Sequence, residues 1–130
     1  MGIDNESDAL NENSIIIELT YGEKKFLFMG DAENTNEALR TWNDVDVLKA
    51  GHHGSSSSTS DEFLTQTLPE YVVISCGINN DYGHPHKETI AKLKGLDVYR
   101  TDKDGTILIT SDGQDINVKK LQIDLDGNKD

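Results

Sequence analysis

A short apolar run that ends in two adjacent histidines constrains this sequence more than any other feature. Val45 to Leu48 has the length and composition of a buried strand. His52 and His53 follow it, and a serine run from Ser55 to Ser58 comes next. All four histidines of the chain lie between His52 and His86. Histidine binds metals and moves protons near neutral pH, so we expect the chemistry of the chain to lie in this region.

Composition limits the classes of function that remain open. The 130 residues include 24 acidic and 12 basic side chains, a net charge of −12. Such a chain repels phosphate backbones unless bound cations offset the charge, which argues against a passive nucleic-acid binder but allows a metal-dependent phosphoesterase. Cys76 is the single cysteine, so no intrachain disulfide can form, and its apolar setting predicts a buried, inert thiol. No segment reaches the roughly 20 apolar residues of a membrane span, and acidic Met1 to Asp8 is unlike a signal peptide, which predicts a soluble chain.

Strand patterns alternate with helix signals along the chain. The predicted strands are Ser14 to Thr20, Lys25 to Met29, Val45 to Ala50, Tyr71 to Ser75, Asp97 to Arg100, Thr106 to Thr110 and Ile116 to Ile123. The predicted helices run from Asn34 to about Thr41, from the Ser60 cap to Pro69, and from His86 to about Lys94, and Asp102 to Gly105 predicts a hairpin turn.

This order predicts an α/β fold in which helices pack on a mixed sheet. The second strand is apolar almost throughout, which predicts that both of its faces are covered. We expect one domain over residues 13–123, preceded by a disordered lead over 1–12 and followed by an acidic tail over 124–130. The tail resembles a calcium-binding loop only superficially, because its Asp-x-Asp-Gly spacing is too short and the final glutamate is missing.

One carboxylate and the imidazoles all follow predicted strands. Asp31 ends the second strand, and ligands bind such sheets at the carboxyl ends of strands. A carboxylate with imidazoles suits zinc, manganese or iron. Adjacent residues point in different directions, so we expect only one of the two histidines to reach the metal. We favour His52 as the ligand beside Asp31, with His53 near the substrate, and the choice between the two stays open at this point. His84 can bond a phosphoryl oxygen or protonate a leaving group, and Ser55 with nearby amides can hold an oxyanion.

Simpler interpretations of the same residues stay open at this point. Asp31 after a glycine is as often a cap as a ligand. A serine run such as Ser55 to Ser58 is, taken alone, more often a flexible linker than a site. His86 opens a helix, where a solvated first-turn residue is more common than a participant in catalysis.

Three motifs in order carry a family resemblance. They are Phe-Leu-Phe-x-Gly-Asp ending at Asp31, Gly-His-His-Gly-Ser ending at Ser55, and Tyr-Gly-His-Pro ending at Pro85. With further matches between Asn13 and Ile116, the chain resembles the second half of the ComEC-type metallo-β-lactamase-fold hydrolases.

The resemblance implies a four-layer αββα fold with a two-metal site, usually zinc or manganese, that hydrolyses phosphodiesters. It implies that Asp31 bridges the metals, that His52 is the last histidine ligand, and that His53 and His84 line the pocket. Membrane-bound members attach this domain to a DNA-uptake channel and are thought to degrade the non-transported strand, so the domain would be extracytoplasmic there and cytoplasmic otherwise.

The sequence also departs from the family pattern. The family draws most metal ligands from a His-x-His-x-Asp-His motif in the first half of the fold, and this motif is absent here. We therefore expect residues 1–130 alone to bind metal weakly and turn over little, and expect an N-terminal half-domain or a second copy to cover the sheet. A non-catalytic assembly module and a phosphorylcholine-type esterase are the alternatives.

Overall fold

The computed structural model describes residues 14–121. The predicted lead over 1–12 and the predicted tail over 124–130 lie outside the described residues, as do the last two residues of the predicted strand from Ile116 to Ile123.

Seven strands form two sheets in the described part of the chain. The first sheet has the order β1-β2-β3-β4-β5, and its strands are β1 (Ile17–Tyr21), β2 (Lys24–Phe28), β3 (Val47–Lys49), β4 (Tyr71–Ile74) and β5 (Asp97–Arg100). β1 pairs antiparallel with β2, and every later pairing in this sheet is parallel. β6 (Thr106–Ser111) and β7 (Ile116–Leu121) form a separate antiparallel pair. The predicted mixed sheet is confirmed.

Short helices connect the strands. They are α1 (Asn34–Glu37), a 3₁₀ turn (Gly51–Gly54), α2 (Asp61–Thr67), α3 (Lys87–Lys92) and α4 (Thr101–Asp104). α2 begins as predicted, because the Ser60 hydroxyl accepts a hydrogen bond from the Phe63 amide at 3.1 Å. α1 is shorter than predicted, since the indole N–H of Trp42 donates to the Glu37 carbonyl at 2.8 Å in place of a further helical turn.

The predicted hairpin turn at Asp102 to Gly105 is wrong. These residues belong to the single-turn helix α4 and to the step into a different sheet. Both aspartates of this segment contact Arg100, the last residue of β5. The Asp104 carboxylate accepts from the Arg100 amide at 2.9 Å, and Asp102 forms a two-pronged ion pair with the Arg100 guanidinium at 3.0 and 2.8 Å.

The helices cover one face of the five-stranded sheet. The core on this face contains the buried side chains Leu27, Met29, Ala32, Trp42, Val45, Leu48 and Phe63, and a second cluster contains Ala50, Val72, Ile74 and Leu93. Trp42 and Phe63 meet edge to face with ring centroids 5.1 Å apart. Each large apolar side chain buried here stabilises the fold by about 1.5–3 kcal/mol.

Among residues 14–121, the other face of the sheet is covered only in part by β6 and is open along β1 and the end of β2. Leu19, Tyr21 and Phe28 are exposed, and they border an apolar groove of about 590 Å³ whose far wall includes Ile107 and Ile109 of β6. The prediction that both faces of β2 are covered therefore does not hold for the described residues. Successive side chains of a strand point to opposite faces, so the apolar residues of β2 make both of its faces apolar. The helices cover only one of these faces, and the other needs a further layer to cover it.

No helix between residues 14 and 121 is both long enough and apolar enough to cross a membrane.

Candidate active site

The predicted site residues gather at the carboxyl ends of β2, β3 and β4. Asp31 follows β2, the histidine pair follows β3 within the 3₁₀ turn, and the loop that carries His84 follows β4. The His52 amide donates to the Gly30 carbonyl at 2.8 Å, which ties the first two of these loops together. The topology thus brings Asp31 and the histidine pair to one edge of the sheet, as the sequence predicts.

The histidine pair adopts an unusual backbone conformation. His52 has φ 50° and ψ 42°, and His53 has φ 56° and ψ 28°, so both lie in the left-handed region. Two consecutive non-glycine residues there cost roughly 1–3 kcal/mol each. Bonds around the pair hold it in place. The Ser55 amide donates to the His52 carbonyl at 3.0 Å, and the buried Ser58 hydroxyl donates to the Gly51 carbonyl at 2.8 Å. Strain of this kind is typical of functional sites.

The ring of His53 faces the Asp31 carboxylate. His53 Nδ1 lies 2.8 Å from the Ser75 carbonyl oxygen, which can only accept, so Nδ1 carries the proton. Nε2 of a neutral ring is then an acceptor, and it lies 3.6 Å from Asp31 Oδ1, which is also an acceptor. Two acceptors that face each other need a proton or a cation between them. Both side chains are about half exposed, so a ligand can reach this position.

His52 has a different carboxylate partner. Its Nδ1 lies 3.5 Å from Glu33 Oε2, and the Ser57 hydroxyl donates to the same oxygen at 2.6 Å. The sequence favours His52 as the partner of Asp31, whereas this geometry pairs Asp31 with His53. Glu33 is the residue that sequence reasoning missed. Its position two residues after Asp31, on the same loop, is the signal that could have found it.

His84 lies among the other three imidazoles. Its ring is nearly parallel to that of His53, at 17° with centroids 6.1 Å apart, and it meets His52 and His86 edge to face at 5.6 and 4.8 Å. Burial lowers the pKa of His84, and the neighbouring imidazoles lower it further. The His84 ring is therefore neutral at pH 7.

We expect His84 in the metal-free chain to titrate below the ordinary histidine value of about 6.5. The folded-state pKa is lower than the unfolded-state pKa, so the unfolded chain binds more protons as the pH falls below about 6.5. The contribution of His84 to the free energy of unfolding is present above that pH and is lost as the pH falls through the folded value. Ring proton chemical shifts followed by NMR report the midpoint, and a midpoint at or above 6.5 would contradict this environment.

His86 links two loops of the site, unlike the solvated first-turn residue that the sequence suggests. The Ser56 amide donates to His86 Nδ1 at 2.9 Å, so Nδ1 is unprotonated. Nε2 then carries the proton of the neutral ring and donates to the Tyr82 carbonyl at 3.1 Å. This ring joins the serine run to the loop that carries His84, and it fixes the distance between the two.

The serine run is built into the fold. Ser58 is fully buried, and Ser55 is 6% exposed with its hydroxyl 2.9 Å from that of Ser57. The flexible-linker interpretation therefore does not apply to this run. The Ser55 side chain is turned into the loop, so a contact between Ser55 and a ligand would involve its backbone more readily than its hydroxyl.

Two further groups lie near the site. Lys49 is the last residue of β3, and burial lowers the pKa of its amine. Electrostatic interactions with Asp31 and Cys76 act in the opposite direction, so the amine of Lys49 lies close enough to interact with Asp31. Burial also raises the pKa of the Cys76 thiol, and the negative charge of Asp102 raises it further. A thiol with a raised pKa is a poor nucleophile, which agrees with the prediction of an inert cysteine, although Cys76 is only half-buried.

A metal ion fits this site only in part. Asp31 Oδ1 and His53 Nε2 are suitable donors that face each other. Across residues 14–121, however, no three histidine, cysteine or acidic side chains converge closely enough to hold an ion. Zinc needs about four ligands, so the remaining ones would have to come from outside the described residues.

The family comparison agrees with this geometry. Residues 9–78 match the family model described as the metallo-beta-lactamase superfamily, which is more than half of the chain. The chain therefore belongs to the metallo-β-lactamase superfamily, whose members generally bind metal ions.

Comparison with individual proteins shows which members of the superfamily this chain is similar to. The chain is 38% identical over 103 residues to ComE operon protein 3 of Bacillus subtilis (strain 168), 40% identical over 87 residues to Recombination protein 2 of Haemophilus influenzae, and 28% identical over 120 residues to Competence protein ComA of Neisseria gonorrhoeae. These alignments cover 75%, 65% and 87% of this chain, but only 13%, 11% and 17% of the relatives. The predicted resemblance to the ComEC-type members is confirmed, and the chain spans less than a fifth of the length of these relatives.

Proposed function

We propose that this chain supplies the C-terminal half of a metal-dependent hydrolase that cleaves phosphodiesters, with nucleic acid as the substrate of the full-length form. The observation that carries the proposal is the approach of Asp31 Oδ1 to His53 Nε2, 3.6 Å apart, beside three further imidazoles. The names of the relatives support a nucleic-acid substrate, since one is a recombination protein and another a competence protein. Residues 13–123 would form the domain.

Asp31 and one histidine would be the metal ligands that this chain contributes. The approach of His53 to Asp31 favours His53, while His52, held against Glu33, would be the alternative ligand. Zinc or manganese suits this donor set and would supply an activated water and stabilise charge on the phosphoryl oxygens. The remaining ligands would come from a segment outside residues 14–121, so we expect residues 1–130 alone to turn over little.

His84 would act directly on the substrate. A neutral His84 at pH 7 can donate one N–H to a phosphoryl oxygen, and protonation of a leaving group would require the less populated imidazolium. Ser55 would contribute to an oxyanion site through the backbone of its loop, because its hydroxyl is engaged with Ser57.

The open face of the sheet would receive the other half of the fold. An apolar groove of about 590 Å³ bordered by Leu19, Tyr21 and Phe28 has the size and character of a surface that another structural layer covers. An N-terminal half-domain would cover this groove in the full-length form, and a second copy of the chain would do so in its absence.

A hydrolysis assay tests the proposal. The protein would be produced together with the half-domain that is proposed to complete the fold, and bis-p-nitrophenyl phosphate hydrolysis would be measured with manganese or zinc. We expect a metal-dependent rate that falls at least about a hundredfold in Asp31→Asn, because the ion that would activate water and stabilise charge in the transition state loses a ligand. The chain of residues 1–130 alone should show little of this rate.

The matched control is Asp44→Asn, which makes the same chemical change at an exposed position before β3. Its rate should equal that of the parent protein. A metal-dependent rate that is indifferent to Asp31→Asn, or no metal-dependent rate at all, would reject the hydrolase.

The open apolar face also favours a second candidate, a non-catalytic module that mediates protein assembly. Light scattering after size exclusion separates the two candidates, since a self-paired dimer without hydrolytic activity in the longer protein would support the module.

A further inference from the structure

The loop between β4 and α3 is fixed around one asparagine. Asn80 Oδ1 accepts from the amides of Tyr82 and His84 at 3.1 and 2.9 Å. Its Nδ2 donates to the carbonyls of Gly77 and His84 at 3.0 and 2.6 Å. All four bonding positions of this side chain are therefore used within the loop. His86 adds a fifth tie through the Tyr82 carbonyl. The loop thus holds the Tyr82 backbone in one place.

Tyr82 is presented to solvent from this fixed loop. Its side chain is 77% exposed, and its ring is nearly parallel to the His84 ring, at 21° with centroids 5.6 Å apart. The His84 ring is in turn nearly parallel to the His53 ring. Three flat rings therefore follow one another from solvent to Asp31. A cavity of about 200 Å³ lies alongside them, lined by these rings together with Cys76, Gly77 and Asn80.

The charge of this cavity limits what can bind there. No lysine or arginine is among its lining residues, and the whole chain carries a net charge of −12. A phosphate alone would meet no lysine or arginine among the described residues that line this cavity. A planar uncharged group would instead gain from stacking, which contributes roughly 1–3 kcal/mol per nucleobase on an aromatic side chain.

We propose that Tyr82 and His84 form a stacking platform for an unpaired nucleobase next to the bond that is cleaved. This inference rests on the proposed phosphodiesterase and specifies its substrate as single-stranded nucleic acid. Bases in a duplex have both faces covered by their neighbours, whereas a single strand can lay a base on an exposed ring. Tyr82 is then a specificity-determining residue that touches the base.

The ring arrangement argues against a choline headgroup as the occupant. A quaternary ammonium is held by several aromatic faces that surround it. The His84 ring is nearly parallel to the Tyr82 ring, and the His53 ring is nearly parallel to the His84 ring. The rings that line this cavity therefore offer a flat stack and not a cage, and the two imidazoles that meet His84 edge to face are not among its lining residues. Phosphocholine is therefore a competing probe in the test.

The test measures binding to the full chain in the presence of a chelator at one fixed salt concentration. The probes are a short oligothymidylate, an abasic oligomer with the same number of phosphates, and phosphocholine, and the signals followed are the NMR resonances of the Tyr82 and His84 rings. We expect oligothymidylate to bind roughly tenfold more tightly than the abasic oligomer. Tyr82→Ala should remove most of that difference, and Tyr82→Phe should keep it.

Equal affinities for the two oligomers, or a preference unchanged in Tyr82→Ala, would overturn the platform. Larger shifts of the Tyr82 ring with phosphocholine than with oligothymidylate would also overturn it. These outcomes are distinct from failure of the proposed hydrolase. Cleavage of bis-p-nitrophenyl phosphate without base preference rejects only the platform, and base-dependent binding without any hydrolysis rejects only the enzyme.

Discussion

Replacing Glu37 with alanine is expected to destabilise the chain by about 3 kcal/mol, because it leaves buried amides without partners. Glu37 is 3% exposed, and its two carboxylate oxygens accept from the amides of Thr59 and Ser60, at 2.5 and 2.9 Å. Thr59 is fully buried and has φ 58°, a conformation that is rare for a β-branched residue. The carboxylate therefore holds a strained residue at the end of the serine run.

Urea denaturation measures this effect, with the loss read from a lower midpoint at an unchanged slope. Glu37→Gln is the matched control, because its single carbonyl oxygen can still accept from one amide, and we expect it to lose about half as much stability. A Glu37→Ala variant as stable as the parent would mean that this carboxylate does not hold the loop.

Replacing Gly54 with alanine is expected to cost about 3 kcal/mol and to displace the histidine turn. Gly54 has φ 79°, and a Cβ at this position would lie 2.6 Å from the Cβ of Pro85 and 3.2 Å from Ile74 Cγ2. The backbone strain contributes about 1 kcal/mol and the overpacking about 1–3 kcal/mol. Because the proline ring and the buried isoleucine cannot move aside freely, the turn itself must shift.

Gly83→Ala separates the two causes. Gly83 has φ 70°, but a Cβ there would have nothing within 4 Å, so only the backbone strain of about 1 kcal/mol is expected. Thermal or urea unfolding of both variants gives the comparison. Equal losses in the two variants would show that close packing against Pro85 does not constrain the turn.

Much of the fold could be predicted from the sequence, because the spacing of apolar residues and the residues typical of turns and helix caps are both local features of the chain. The strands around Leu27, Leu48 and Val72 and the Ser60 cap all follow from neighbouring residues. The α4 turn was mispredicted, since Asp102 and Asp104 are typical of turns but here bind the Arg100 guanidinium and amide.

The sheet edge at which the candidate site residues meet could be predicted, whereas their pairings could not. Asp31 and the histidines follow strands, and strand ends meet at one edge of a parallel sheet. Which imidazole faces Asp31 depends on the left-handed conformation of His52 and His53, and no local propensity favours two such residues in succession. The position of Glu33 close to Asp31 marks it as a candidate, but its pairing with His52 and Ser57 depends on contacts between residues distant in sequence. The bond between His86 and Ser56 depends on such contacts in the same way.

The central claim is that Asp31 and His53 act as one unit at a hydrolytic centre. The most direct measurement is the metal-dependent hydrolysis rate of the longer protein carrying Asp31→Asn, His53→Gln or both. Residues that act as a unit are strongly non-additive, so we expect the double variant to be no slower than the slower single variant. Losses that multiply in the double variant, or a parent rate in His53→Gln, would contradict the pairing.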